Sequence, residues 1–230
     1  MSYSIIMPAF NEERNLSQSV EMVVEAFVGL NYELIIVDDC SSDATRDIAM
    51  KMADMYAEII YLRNENNLGR GGAILRGYSQ ASKEMSIVIQ GKKDTTADEL
   101  KKIINFRKDE DITLSYQLNF KERPFLRRLF SGCFTLFVNF IMGRRIKYYN
   151  GSALIKTKHL KDLRINNFSY SIDAEILSVL LNRGLTYREV GVVDIFEEGR
   201  QTRAFSLSNI IGVCGFFVRL VLLRLGFKNG

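Results

Sequence analysis

Five side chains near the N-terminus have the types and the placement to hold a ligand. Pro8, Phe10 and Glu12 follow the short apolar run Ser4-Ile5-Ile6-Met7, and Asp38 and Asp39 end the run Leu34-Ile35-Ile36-Val37. Short β-rich runs that alternate with helical stretches read as buried parallel strands. Open parallel sheets bind ligands at the C-terminal ends of their strands. Adjacent carboxylates there suit base or ribose hydroxyls, which donate hydrogen bonds. The plainer alternative is that these five are strand-end and helix-cap residues only.

The elements that must position them alternate along the first half. The first strand covers about Ser4 to Met7. Asn11 to Val28 is helical, with Leu16, Val20, Val23, Val24 and Phe27 on one face. A second strand runs from about Glu33 to Val37, and Ser42 or Asp43 is placed to cap the helix that continues to about Tyr56. Glu58 to Leu62 is a third strand, and Arg70 to Ser82 a helix packed closely through its glycines. Met85 to Gln90 is a fourth strand. Thr96 opens a helix carrying Leu100, Ile103, Ile104 and Phe106, and Ile112 to Tyr116 is a fifth strand. This alternation predicts an α/β fold with a doubly wound, mainly parallel sheet.

Two later stretches differ. Phe125 to Met142 is apolar nearly all round, with Arg127 and Arg128 near one end and Arg144 and Arg145 beyond the other. Its length approaches the lower limit for a membrane span, but Ser131, Gly132 and Asn139 interrupt it. Leu207 to Phe227 contains Arg219 and Arg224, which are costly at bilayer mid-depth. Both read as interfacial helices that lie on a membrane or against each other; the rival is plain packing on the sheet.

Bulk properties bound the rest. At 230 residues, 47% of them hydrophobic, one domain with an ample core is expected. The formal charge is +4, with basic residues crowded at Arg123 to Lys147 and at Arg200 to Lys228. Basic residues interleaved with apolar ones suit an anionic membrane surface or phosphorylated substrates. No recognised nucleic-acid motif is present, so a nucleic-acid partner is not expected. Cys40, Cys133 and Cys214 are scattered, with no CxxC, which argues against a zinc site or a disulfide framework and for a reducing cytoplasm. The chain enters a strand almost at once, so no signal peptide is expected. His159, the only histidine, lies in a Lys-rich turn and reads as a surface residue.

The blocks Pro8-Ala9-Phe10-Asn11-Glu12, Val37-Asp38-Asp39-Cys40-Ser41-Ser42-Asp43-Ala44-Thr45 and Asn67-Leu68-Gly69-Arg70-Gly71-Gly72-Ala73, with Gly77 beyond, resemble the family-two glycosyltransferases of GT-A fold. The nearest branch is the dolichyl-phosphate mannose synthase-like, polyprenyl-phosphate one. The pattern covers about the first hundred residues. The resemblance implies one GT-A domain over 1–230: a nucleotide-sugar half at 1–116, an acceptor half at 117–204 and a membrane-interface helix at 205–230. It implies nucleotide contacts from Pro8, Phe10, Glu12, Val37, Asp38, Asp39, Gly69, Gln90 and Gly91, and inverting transfer of a sugar to a lipid-linked, polyprenyl phosphate acceptor. The expected partners are a nucleotide sugar, a lipid phosphate and the membrane surface, with self-association left open. The expected location is cytoplasmic, peripherally attached to the inner face of the membrane.

The chain departs from the family after the fourth strand. The Asp-x-Asp that holds Mg²⁺ or Mn²⁺ there is replaced by Gln90 and Lys92, and Asp94 follows two residues on. A protonated lysine cannot ligate a metal but can supply charge itself. Three readings stay open: transfer without a metal cofactor, Lys92 or Lys93 standing where the cation would be; a displaced metal on Asp94; or a degenerate, inactive site in a nucleotide-binding scaffold. Tyr148-Tyr149-Asn150-Gly151-Ser152 resembles the acceptor-side turn, or is an ordinary one. Asp173 and Glu175 open a helix where the family carries an acceptor-facing acid, so they are candidate catalytic groups beside Lys92; the alternative is helix-dipole stabilisation. Arg200 and Arg203 match the family's basic loop only loosely and are candidate phosphate clamps with Lys93 and Asn150. A transferase with a soluble acceptor is the remaining rival.

Overall fold

Runs of Ile, Val and Met build the sheet. In a computed structural model, residues 1–92, 94–163, 165, 167, 169, 171–195 and 207–226 are described, with 207–210 described as backbone alone. β1 (Ser2–Ala9), β2 (Asn31–Asp38), β3 (Ile59–Arg63) and β4 (Met85–Val88) are mutually parallel. β5 (Ile112–Gln117) and β7 (Tyr187–Val192) pair in parallel, and β6 (Ala153–Lys156) runs antiparallel between β4 and β5. The order is β3-β2-β1-β4-β6-β5-β7. β6 and β7 were not foreseen: at 4 and 6 residues they are short, and the half-buried alternation of Tyr187 to Val192 resembles a loop next to helices.

Both sheet faces are covered, which is why β1 and β2 read as unbroken apolar runs. Ile5 and Met7 face one side, packing with α1 (Leu16–Ala26), α2 (Thr45–Met55) and α4 (Ala97–Phe106). Ile6 and Val88 face the other, packing with α3 (Gly69–Gln80), α5 (Phe125–Met142), α6 (Ile172–Asn182) and α7 (Leu207–Arg224). A Cβ on Gly77 would run into the Ile6 side chain, so α3 lies on β1 at a distance only glycine permits.

Local chemistry sets several boundaries. α1 starts at Leu16 rather than Asn11 because Asn11 takes φ 54° and spends its side chain on the β2–α2 loop, accepting from Ser42 N–H at 2.9 Å. Asp43 Oδ1 accepts the Thr45 N–H at 3.0 Å at the head of α2. Thr96 caps α4 by accepting the Glu99 N–H at 3.3 Å. Gly143, at φ 61°, ends α5 in the left-handed conformation.

Candidate functional site

The strand order reverses between β1 and β4, which opens a crevice beyond their carboxyl ends. β6 runs the opposite way, so Asn150 and Gly151, just before it, lie at this same end of the sheet. A Cβ on Gly151 would run into the Ser115 carbonyl, so this turn sits hard against β5. Among the described residues, Asn11 and Cys40 are the non-glycine residues with positive φ, 54° and 63°, and each stands two residues past a strand that ends at the crevice.

Asp38 and Asp39 shape this wall from beneath. Asp38 is fully buried; it accepts from Ser41 N–H at 2.8 Å, Tyr61 Oη at 3.0 Å and Arg63 Nη1 at 2.5 Å. Its carboxylate is therefore a brace between β2, β3 and the Ser41 turn. Asp39, 3% exposed, accepts from Asn64 Nδ2 at 2.7 Å and Leu68 N–H at 2.9 Å, both on Oδ1. It thereby fixes the loop that delivers α3. Pro8 and Val37 are neighbours in the β1–β2 register and buried, so they form the floor. Phe10 and Glu12 are half-buried at the rim, with the Glu12 N–H held by Thr45 Oγ1 at 2.8 Å.

Arg70 joins three elements and was not singled out in the sequence. It sits in the first turn of α3, directly after Gly69 at φ 75°. Its Nη1 donates to Asp173 Oδ2, in the first turn of α6, at 2.5 Å. Gln90, just past β4, turns its amide oxygen to Arg70 and accepts from Nη2 at 2.5 Å and Nε at 3.0 Å, an orientation assigned from these partners. The neighbouring Tyr78 hydroxyl is pushed up by burial, with the Asp173 charge adding to the rise. A lone Arg in a glycine-rich helix start was the signal available.

Lys92 and Asp94 form an ion pair at 3.0 Å, both about a third exposed. The Ile195 N–H donates to the Asp94 carbonyl at 3.0 Å, tying this loop to the end of β7. Beside it, burial raises the Asp194 carboxyl above the usual range; a Gln117 N–H bond opposes the rise and the Asp94 charge adds to it. A divalent ion fits these donors badly. The two family positions hold an amide committed to Arg70 and an ammonium, and Asp94 is paired with that ammonium. Among the described residues no group of three or more His, Cys, Asp or Glu is arranged to hold a metal.

Asp173 and Glu175 part company. Two residues along a helix turn a side chain by about 200°. Asp173 faces the crevice side, whereas Glu175, 3% exposed, accepts from Arg219 Nε at 2.7 Å, Arg219 Nη2 at 2.8 Å and Asn167 Nδ2 at 2.6 Å. Glu175 is thus a buried clamp from α6 to α7. Asn150 is exposed, Gly69 is half-buried and Gly91 lies buried against β1. Lys93, Arg200 and Arg203 lie outside the described residues. His159 Nε2 stands 3.3 Å from Asp111 Oδ1, away from the crevice chemistry.

Beyond α6, α5 and α7 pack on each other through Phe134 on Phe216, ring centroids 5.6 Å apart, and Phe137 on Phe217 at 5.0 Å. α7 buries Phe216 and Leu220, but α5 buries only Val138 and Met142. Phe125, Leu126, Leu129, Phe130, Leu136, Phe137 and Phe140 stay exposed, Phe140 at 82%. Among the described residues α5 alone is long and apolar enough to cross a membrane. Arg127, Arg144, Arg145 and Arg224 are exposed on or beside α5, Lys147 is exposed with its ammonium over the Tyr116 ring, and Arg123 is buried between Phe120 and Tyr148.

Part of the chain that builds this crevice is similar to known proteins. Residues 4–91 match the model of Glycosyl transferase family 2. The chain therefore carries a family-two segment, and its fold is the GT-A fold. A dolichol-phosphate mannosyltransferase of Pyrococcus furiosus is 29% identical over 136 residues, 57% of this chain and 38% of that protein. A dodecaprenyl-phosphate galacturonate synthase of Rhizobium johnstonii is 28% identical over 162 residues, 67% of this chain and 47% of that protein. The chain thus spans less than half the length of these two relatives. Glucosyl-3-phosphoglycerate synthase from Mycobacterium tuberculosis, solved with Mn²⁺, UDP and phosphoglyceric acid, superposes over 100% of this chain and 80% of that one at a TM-score of 0.69, with 18% identity; this likeness concerns the fold.

Proposed function

We propose that this protein is an inverting glycosyltransferase that moves a sugar from a nucleotide-sugar donor to a lipid-linked phosphate, with a polyprenyl phosphate the favoured acceptor. The observation that carries the reading is the family-two segment, whose rim residues Phe10 and Glu12 and whose Gln90 all converge on the β1–β4 crevice. The base and ribose lie against the β1–β2 side, and the diphosphate runs towards Gln90, Arg70 and Lys92. The acceptor approaches from Asn150 and the head of α6, where Asp173 orients it; an anionic phosphate acceptor needs less help in losing a proton than a sugar hydroxyl does. The polyprenyl-phosphate relatives and the exposed apolar face of α5, rimmed by basic residues, support the lipid acceptor and a peripheral place on the cytoplasmic face of a membrane.

Catalysis on this reading is alignment plus charge stabilisation of the leaving diphosphate. The test is a thermal-shift screen of UDP-, GDP- and other nucleotide sugars, with EDTA and with Mn²⁺. A ligand of the native state raises the melting temperature. At least one nucleotide sugar is expected to do so; a flat screen under both conditions contradicts the proposal. Binding without turnover on any acceptor moves the reading to the scaffold, and turnover on soluble acceptors only moves it away from lipid.

A further inference from the structure

We infer that Arg70 is the cation that receives the donor diphosphate, and that it does so by exchanging Asp173 for the phosphate. The inference rests on the nucleotide-sugar reading above and names the group that acts within it.

Charge comes first. Among the described residues, Arg70 pairs with Asp173 and Lys92 with Asp94 at the crevice. They differ in setting. Arg70 and Asp173 are 17% and 16% exposed at the side chain; Lys92 and Asp94 are 31% and 32% exposed. A charge interaction is screened less in the first setting than in the second. Gln90 holds the Arg70 guanidinium from the β4 end, so the cation has a fixed position whichever anion it meets. A fixed cation stabilises charge that develops in the transition state without reorganising.

Geometry comes second. Arg70 stands in the first turn of α3, whose leading backbone N–H groups point to the same crevice end, a site that favours anions. A planar guanidinium meets phosphate oxygens in a two-pronged fashion that an ammonium cannot. A nucleoside diphosphate carries more negative charge than one carboxylate, so it displaces Asp173 from Arg70. Asp173 is then released from Arg70 at the head of α6, beside the crevice. No bond is made or broken in this exchange; one ion pair replaces another.

The test is calorimetric titration of the full chain with UDP and with GDP in EDTA, on wild type, Arg70→Gln, Arg70→Lys, Asp173→Asn and the Arg70→Gln/Asp173→Asn double variant. Wild type is expected to bind at least one of the two. Arg70→Gln should weaken that binding about tenfold or more, the scale of one charged hydrogen bond. Asp173→Asn should tighten it, and the double variant should show no such gain, because the gain acts through Arg70. Tightening by Asp173→Asn that persists without Arg70 is a general charge effect and overturns the exchange. Undiminished binding in Arg70→Gln overturns it too. If Arg70→Gln fails to fold, Arg70→Lys is read instead: weaker binding than wild type supports the inference and equal binding overturns it. Binding that appears only with Mn²⁺ overturns the inference and leaves the glycosyltransferase reading standing. No binding with or without Mn²⁺ overturns both.

Discussion

The two faces of the sheet are finished differently. On one, α1, α2 and α4 turn their apolar stripes inward onto Ile5, Met7 and Leu34 and show mostly polar side chains to water. On the other, α3 and α6 close the core, and α5 is then laid outside with most of its large apolar residues uncovered. A stripe of that size on the second face alone is a surface made for something other than water. The first face stabilises the crevice; the second adds a place for an apolar partner beside it.

The largest expected effect breaks the first face. Leu100→Ala, at a position 1% exposed on α4, should cost about 3 kcal/mol, the usual scale for a buried Leu, as read by urea denaturation. A cost under about 0.5 kcal/mol, typical of surface changes, would remove the contrast. Next is the tie between α6 and α7. Arg219→Ala strands the buried Glu175 carboxylate, with Asn167 its remaining donor among the described residues, and should cost about 2–3 kcal/mol, below the full figure for a buried pair because the Arg219 side chain is 31% exposed. Restoration by the further change Glu175→Gln would show that the stranded charge is the cause.

A smaller effect sharpens the comparison at the opposite end of the sheet from the crevice. Asp111 joins the start of β5 to Lys156 and Thr186, and chiefly the Lys156 bond holds its carboxyl well below the usual range. A depressed folded pKa contributes stability that is present above the unfolded value, about 3.9, and lost as pH falls below it. Asp111→Asn should therefore lower the melting temperature at pH 7 and progressively less below about pH 4. An equal deficit at every pH contradicts the assignment. The smallest effect on stability belongs to the second face: Leu136→Asn with Phe140→Asn should change stability by less than about 0.5 kcal/mol per site. Flotation with anionic liposomes should nonetheless fall in this variant; wild-type flotation indifferent to lipid charge would argue against the basic rim.

The sequence carried the first face well and the second less well, for physical reasons. β1 and β2 are buried on both sides, so their apolar runs are unbroken and their ends fall at visible polar residues. β6 and β7 are short and partly exposed, with register supplied by pairing to β4 and β5, which no local pattern encodes. The position of Phe10 and Glu12 just past a strand was legible from the apolar run before them, whereas Asp173 was singled out by the family resemblance alone. The division of labour between Asp38, a brace, and Arg70, a crevice cation, was not legible, because it depends on Arg63 standing in register with Asp38 and on α6 returning over α3. For the same reason Glu175 and Asp173, alike in sequence, separate into a clamp and a crevice residue.

The function proposed above joins the crevice to the apolar face: on that reading a sugar leaves a nucleotide in the first and arrives on a lipid phosphate held by the second. It is tested most directly by incubating the full chain and polyprenyl-phosphate liposomes with labelled UDP- and GDP-sugars, then extracting the lipid. The account predicts label in the lipid phase with at least one donor, in EDTA as well as in Mn²⁺, and its loss in Asp173→Ala. Label that stays in the aqueous phase with every donor, while one of those nucleotides binds, would contradict it.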